Sequence, residues 1–423
     1  MCLQGAGFGV ILFTLASIFS VIACANSSGI GIGIGIGFED EDEDVFNVMD
    51  YGATGDGLTD DSQAFLEAWE AACNALVEFP KIYVPEESTF LVNPISFYGP
   101  CNSPTINFKI SGTIIAPESP DVWNGRDASQ WLGFEHVDGL KIDGYGVFDG
   151  RGQPWWDQSC RYHPQLKQCT KTAPTALKFL WCKESSVRNM KLMNSAQTHI
   201  LVKDCNNFKI ENLMINSPGN SPNTDGIHIQ ASHSVTITNS QIACGDDCIS
   251  IGDYISNVQI ANVVCGPGHG ISIGSLGKGG NYVQVENIRV TDAFFNGTTN
   301  GARIKTWQVG RGYVRNVVFE NLKFNNVKNP IIIDQNYCFV RDACKEEETG
   351  VQVSSVVYKE ISGTSTTDIA INLNCSNAVP CFGISMQSIN IDSAKSGKQV
   401  TAHCNNAHGR EVGVFPGPCL QHY

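Results

Sequence analysis

Five copies of one short frame, apolar-x-apolar-x-Asn, decide the fold. They are Phe208-Lys-Ile-Glu-Asn212, Val235-Thr-Ile-Thr-Asn239, Val258-Gln-Ile-Ala-Asn262, Val283-Gln-Val-Glu-Asn287 and Val317-Val-Phe-Glu-Asn321, with a degenerate copy ending at Asn189. Alternation with period two is a strand signal, and Asn is a residue of tight corners. From Asn189 onward the Asn positions advance by 23, 27, 23, 25 and 34 residues. A unit of this size cannot bury its apolar face alone and must stack on its neighbours. Two or three short strands per unit, with no intervening helix, predict an all-β solenoid, a right-handed parallel β-helix. A leucine-rich repeat is the nearest competitor, but Leu is too sparse for it.

Working upstream, Phe65, Ala68, Trp69, Ala72, Cys73 and Leu76 recur at helical spacing behind Asp60-x-x-Gln63, which resembles a capping box. They predict one helix over 60–77, closing the N-terminal end of the solenoid against edge pairing. Further upstream, Phe8 to Ala23 is a 16-residue apolar stretch followed by Ala23-Cys24-Ala25, a signal-peptidase pattern. It is shorter than the ~20 residues of a membrane span, although no Lys or Arg precedes it. The expected organisation is therefore a signal peptide over 1–25, a Gly-Ile and acidic leader or propeptide over 26–44, and one β-helix catalytic domain over 45–423.

Composition narrows the class. Of 423 residues 42 are Gly and 42 % are apolar, while only 17 % are charged and the net charge is −14. This excludes a disordered chain, a collagen-like chain and a nucleic-acid binder working by bulk charge. The run Glu39 to Asp44 holds six of the excess negative charges. Seventeen cysteines indicate an oxidising, extracellular compartment. Without Cys2 and Cys24 there are 15, so at least one stays unpaired. Cys338/Cys344, Cys375/Cys381 and Cys404/Cys419 are near enough in sequence to close small loops. Asn296-Gly-Thr298 and Asn374-Cys-Ser376 are sequons for glycans.

The chemistry sits in a second strand series: Asp225-Gly-Ile-His-Ile229, Asp247-Cys-Ile-Ser-Ile251 and His269-Gly-Ile-Ser-Ile273, each 22 residues after the last. In a solenoid, Asp225, Asp247 and His269 then stack at the strand spacing of ~4.8 Å. Two in-register aspartates repel, which raises at least one pKa unless cations lie near. The next coil supplies cations, because Arg303 and Lys305 alternate around Ile304. With Asp246 beside Asp247, three carboxylates, an imidazole and two cations fall on one wall, a layout for acid/base hydrolysis of a polymer in a groove. A lone Asp in such a turn is ordinarily a turn former, and a Ca²⁺ site would need more oxygen ligands and fewer cations. His199 is open between cleft and core, and Trp155 and Trp156 are read as packing rather than sugar-stacking residues.

In order, Asn223-Thr224-Asp225, Gly245-Asp246-Asp247, Gly268-His269-Gly270 and Arg303-Ile304-Lys305 resemble the signature of the polygalacturonases, family 28 glycoside hydrolases. The likeness runs from about Phe46 to Cys419, and Phe46-Asn-Val-Met-Asp-Tyr-Gly-Ala-Thr-Gly-Asp-Gly57 is similar to plant members. The resemblance implies metal-independent, inverting hydrolysis of α-1,4 bonds between galacturonic acid units. Asp246 would be the general acid, Asp225 and Asp247 would activate water, and His269 would shape the acid's protonation. Arg303, Lys305 and Tyr337 would contact substrate, and Cys248/Cys265 would brace the coil. No cofactor, metal, nucleic acid or membrane partner is expected, and the enzyme would be a monomer acting on pectin in the cell wall. Ala196, where a proline is common, and Val309-Gly-Arg311 depart from the family pattern. A hydrolase of branched pectin (rhamnogalacturonan or xylogalacturonan), a calcium-dependent lyase and a non-catalytic pectin-binding β-helix are the alternatives. The negative net charge opposes encounter with a polyanion, so Arg303, Lys305 and Lys278 must supply local attraction.

Overall fold

The computed structural model describes residues 44–422, apart from 168, 171, 339–343 and 346. The expected signal peptide and nearly all of the expected leader therefore lie outside the described residues. The rest winds as a right-handed parallel β-helix, its strands pairing in parallel with strands of the neighbouring coils. One wall is a sheet of eleven strands among the described residues, running from Ile95–Tyr98 to Thr401–Asn405. The other two walls are ladders of short strands, such as Lys183–Arg188 and Lys191–Met193, that turn at a residue between them. From His233–Ala243 onward these two strands fuse into one long strand bent at that corner.

The corner residues explain the Asn frame. Each coil turns twice, five residues apart, through a left-handed backbone: Asn207 and Asn212, Ser234 and Asn239, Asn257 and Asn262, Asn287 and Asp292, Asn316 and Asn321. Asn tolerates positive φ better than other residues with a side chain, and its amide can reach the next coil. Asn212 donates to Asn189 at 3.0 Å, Asn262 to Asn239 at 3.2 Å and Asn316 to Asn287 at 3.2 Å. One copy of the frame is out of register. Val285 pairs with Ile255, and the true partner of Val258…Asn262 is Ile288-Arg-Val-Thr-Asp292. Both corners take the same residue types, so spacing alone confuses the first with the second.

The helix spans Ser62–Asn74 and buries Ala64, Phe65, Ala68, Trp69, Ala72 and Cys73 over the first coils. Its bounds are narrower than 60–77, and Leu76 lies past its end, 92 % exposed. No capping box forms. Asp60 instead accepts from the Ser62 amide, and Gln63 donates to Glu67. Trp69 donates to the Tyr98 carbonyl at 3.1 Å, and Cys73–Cys101 fastens the cap.

Inside the first coils runs an aromatic stack. The Phe134 ring lies 4.9 Å from Phe97 and 5.2 Å from Phe179, with Trp69 edge-on at 5.9 Å. Stacked coils repeat the same interior position, so one missing ring leaves a void bounded by three others. Phe134→Ala is expected to cost about 3–5 kcal/mol, read as a lower midpoint of guanidinium unfolding; an unchanged midpoint would remove this stack as a source of stability. Trp155 and Trp156 are buried as packing residues, Trp156 donating to the Ser195 carbonyl. The disulfides Cys248–Cys265, Cys338–Cys344, Cys375–Cys381 and Cys404–Cys419 form as expected, and Cys160–Cys169 is a further one. Cys182, Cys205 and Cys244 are buried free thiols.

Candidate active site

The eleven-strand wall carries a cleft of about 910 Å³ over its central coils. Ile227, Ile249 and Ile271 pair in strict register and point inward, fully buried. The residues between the isoleucines, His228, Ser250 and Ser272, therefore face out with Arg303 as the cleft floor. Asp225 and Asp247 precede these strands, where the chain turns into the wall, and their carboxylates lie over that floor.

Asp246 reaches the cleft beside Asp247 because residues 245–246 bend. At Gly245 the chain passes so close to the previous coil that a Cβ would sit 1.9 Å from the Ser221 carbonyl oxygen. The buried Cys244 thiol donates to the Asp246 carbonyl at 3.2 Å and supports the bend from beneath. Gly270, after His269, has φ +88° and no room for a Cβ beside the Asn300 carbonyl.

Each carboxylate has its own environment. Asp246 Oδ1 accepts from His269 Nδ1 at 2.8 Å and from the Asp247 amide at 3.0 Å. Its Oδ2 accepts from Arg161 Nη1 at 3.0 Å and Asn223 Nδ2 at 3.3 Å. Burial alone would push this carboxyl up, but the hydrogen bond and charge of His269, with Arg161 and Lys305, hold it well below the usual carboxylate range. Asp247, 2 % exposed, accepts from Ser272 and Arg303 on Oδ1 and from Lys305 Nζ at 2.9 Å on Oδ2. Arg303 also donates to Ser272 at 2.8 Å, so the hydroxyl locks fork and acid together.

Asp225 accepts from the Ser250 hydroxyl at 2.7 Å, and Ser250 in turn accepts from His228 Nδ1 at 2.7 Å. Burial, then repulsion from Asp246 and Asp247, pushes the Asp225 carboxyl well above its usual range. Neighbouring charges and burial thus push the Asp225 and Asp246 carboxyls in opposite directions. Burial also lowers the pKa of His228 to about 4.

The structure brings Asp225, Asp246, Asp247, His269, Arg303, Lys305 and Tyr337 together in this cleft, with Lys278 on its lining. The Lys305 ammonium lies 5.6 Å from the centre of the Tyr337 ring. His199 is not in the cleft. It is fully buried, its Nδ1–H donates to the Asp225 carbonyl at 2.9 Å, and its Nε2 accepts from Ser217 at 2.8 Å. Burial holds its pKa near 4, so it props the Asp225 backbone as a neutral ring. Ser250 and Ser272 were legible in principle, as the residue between two isoleucines at 22-residue spacing. Arg161 gave no such signal.

Asp246, Asp247 and His269 hold one donor atom each within 4.8 Å of one another, a spacing suited to a cation. Three cationic side chains already lie on those two carboxylates, and a divalent ion would have to compete with them.

The model of the glycosyl hydrolases family 28 matches residues 73–414. The chain is 43 % identical over 377 residues to a probable polygalacturonase of Arabidopsis thaliana, covering 89 % of this chain and 84 % of that protein. It is 44 % identical over 364 residues to Polygalacturonase-2 of Solanum lycopersicum, covering 86 % and 78 %. Among solved structures, the endo-xylogalacturonan hydrolase from Aspergillus tubingensis matches with a TM-score of 0.75 and 28 % identity, over 88 % of this chain and 100 % of that one. This chain belongs to family 28 of the glycosyl hydrolases.

Proposed function

We propose that the protein hydrolyses α-1,4-galacturonosidic bonds of polygalacturonan, the backbone of pectin, by inverting acid/base chemistry without a metal. The observation that carries this reading is the unequal treatment of three adjacent carboxylates in one open cleft, inside a family 28 domain whose plant relatives bear the name polygalacturonase. Asp246 is the proton donor to the leaving oxygen. Asp225 and Asp247 share the water that attacks the anomeric carbon and take its proton. An inverting pair needs ~6.5–9.5 Å across that water, so the stacked Asp225 and Asp247 suit a shared role better than opposed ones. His269 positions Asp246 through Oδ1.

Arg303, Lys305 and Tyr337 form the anionic subsite. A guanidinium and an ammonium beside an aromatic face suit a sugar carboxylate, and they concentrate positive charge where a net-negative protein must meet a polyanion. Secretion into the cell wall and action as a monomer complete the proposal. The cysteine usage and six disulfides favour the first, and no helix among the described residues is long and apolar enough to cross a membrane.

The test is product analysis on polygalacturonate. New reducing ends of inverted anomeric configuration, formed equally well with chelator, are expected. Unsaturated ultraviolet-absorbing ends lost on chelation would make it a lyase. Preference for xylogalacturonan or rhamnogalacturonan over polygalacturonate would move it to branched pectin. Tight binding with no cleavage would leave a pectin-binding protein.

A further inference from the structure

Asp246 is saturated in the resting cleft. Its two oxygens accept four hydrogen bonds, from His269, the Asp247 amide, Arg161 and Asn223. A carboxyl that must donate a proton needs one oxygen that carries hydrogen and faces the leaving oxygen, and, with His269 assigned as donating from Nδ1, a proton placed on either oxygen here would point at existing N–H donors. One donor has to leave. Three of the four belong to the coils themselves. The fourth, Arg161, comes from a loop outside the wall, and its side chain is 42 % exposed.

The base of that loop is fixed. Cys160 and Cys169 are bridged, Cys160 donates to the Thr170 carbonyl at 3.0 Å, and the Arg161 amide donates to Ser159 Oγ at 3.3 Å. The long guanidinium arm projects from this anchor across the cleft mouth, which Arg161 lines together with Asn223 and His269. A guanidinium prefers a carboxylate that meets it with both oxygens, and here it has only one oxygen of Asp246, shared with Asn223. An incoming sugar carboxylate is the better partner.

Resting on the polygalacturonan reading, we infer that Arg161 is a substrate-exchanged lock: in the empty cleft its guanidinium closes Oδ2 of Asp246, and it leaves that oxygen for the carboxylate of an entering galacturonate unit. Asp246 then takes a proton from solvent and passes it to the glycosidic oxygen as the bond from C1 to that oxygen breaks. Water adds to C1, and its proton goes to the Asp225/Asp247 pair. The acid is thereby armed only when an acidic sugar is seated, which favours the unesterified polymer. The other titratable or charged groups around Asp246 are Asp225, Asp247, His228, His269, Arg303, Lys305 and the Cys244 thiol. None of these comes from outside the coils.

The test compares wild type with Arg161→Met and Arg161→Lys on polygalacturonate, as pH profiles of kcat and kcat/KM. The profile of kcat/KM reports the free enzyme and that of kcat the complex. Arg161→Met should move the alkaline limb of kcat/KM up by about half a pH unit, the size of one partly exposed ion pair, and leave that of kcat in place. Its KM should rise about tenfold, and Arg161→Lys should restore most of both. An unmoved alkaline limb, or a fall in kcat with an unchanged profile, would overturn the inference and leave Arg161 a structural residue. If wild type releases no reducing ends, the functional reading fails instead. The lock is then read from the carboxyl ¹³C titration of Asp246, where an Arg161→Met shift to higher pH supports the resting contact and no shift overturns it.

Discussion

Asp246→Asn is expected to lose at least ~100-fold in hydrolysis of polygalacturonate, since a positioned general acid contributes ~10²–10⁴. The amide keeps the shape of the side chain and one acceptor oxygen, so the wall and cleft remain, but it has no proton of suitable acidity to give. Two further readouts separate this from a general loss of the site. A substrate with a nitrophenol leaving group needs little protonation, so the variant should recover most on that substrate. Stability should also fall at neutral pH. A carboxyl held below its usual range contributes stability above the unfolded value of about 3.9, lost as pH falls through the folded value. Removing its charge leaves Arg161 and His269 short of a partner, and the melting temperature should drop at pH 7 while converging with wild type in acid. Activity within tenfold of wild type would remove Asp246 from the acid role.

The register of the candidate site was legible because the coils there have one length. Ile227, Ile249 and Ile271 repeat at 22 residues without insertion, so Asp225, Asp247 and His269 had to stack. Where coil length changes, spacing loses its meaning. The frame ending at Asn287 was aligned with Asn262, whereas Asn287 stands on Asn257, because corners five residues apart accept the same side chains. Arg161 was invisible for a different reason. Its loop, closed on itself by Cys160–Cys169, belongs to no repeat, and Arg161 meets Asp246 85 positions later in the sequence. Cys244 gives no sequence signal beyond its residue type, although its thiol supports the bend that presents two aspartates. The helix ended before Leu76 because there is no apolar surface past Asn74 for that residue to cover.

The charges of the cleft also answer the difficulty of a negative protein that takes a negative polymer. Arg303 and Lys305 are not spare cations waiting for substrate. Both are bound to Asp247, and the Arg303 fork is locked through Ser272. Two positive charges against one carboxylate leave that corner of the floor net positive even at rest. A sugar carboxylate can therefore join them without displacing Asp247, and the water-activating carboxylate keeps its charge while substrate is bound. Arg161 differs in this respect, because it has one charge and one partner and must exchange.

Asp225→Asn should give the opposite stability effect from Asp246→Asn, with a comparable loss of rate. The unfolded chain ionises this residue near the ordinary value of about 3.9. The folded protein holds the proton to higher pH, because burial and two neighbouring aspartates disfavour the charge. Such a group contributes its stability below the unfolded value, and that contribution is lost as pH rises through the folded value. At neutral pH the folded protein must either hold a repelled carboxylate or keep a proton against the solvent, and Asn relieves it of both. The Ser250 hydroxyl still finds an acceptor in the Asn carbonyl. Melting temperature should rise at pH 7 and match wild type in acid, while hydrolysis falls by about two orders of magnitude or more because a water-activating base is gone. A variant less stable than wild type at pH 7 would show that Asp225 is held as a favourable charge, and the division of labour among the three carboxylates would have to be redrawn. A site that is more stable when it is less active has its residues placed for chemistry at the expense of the fold, and Asp225 is where the stacked coils concentrate that conflict.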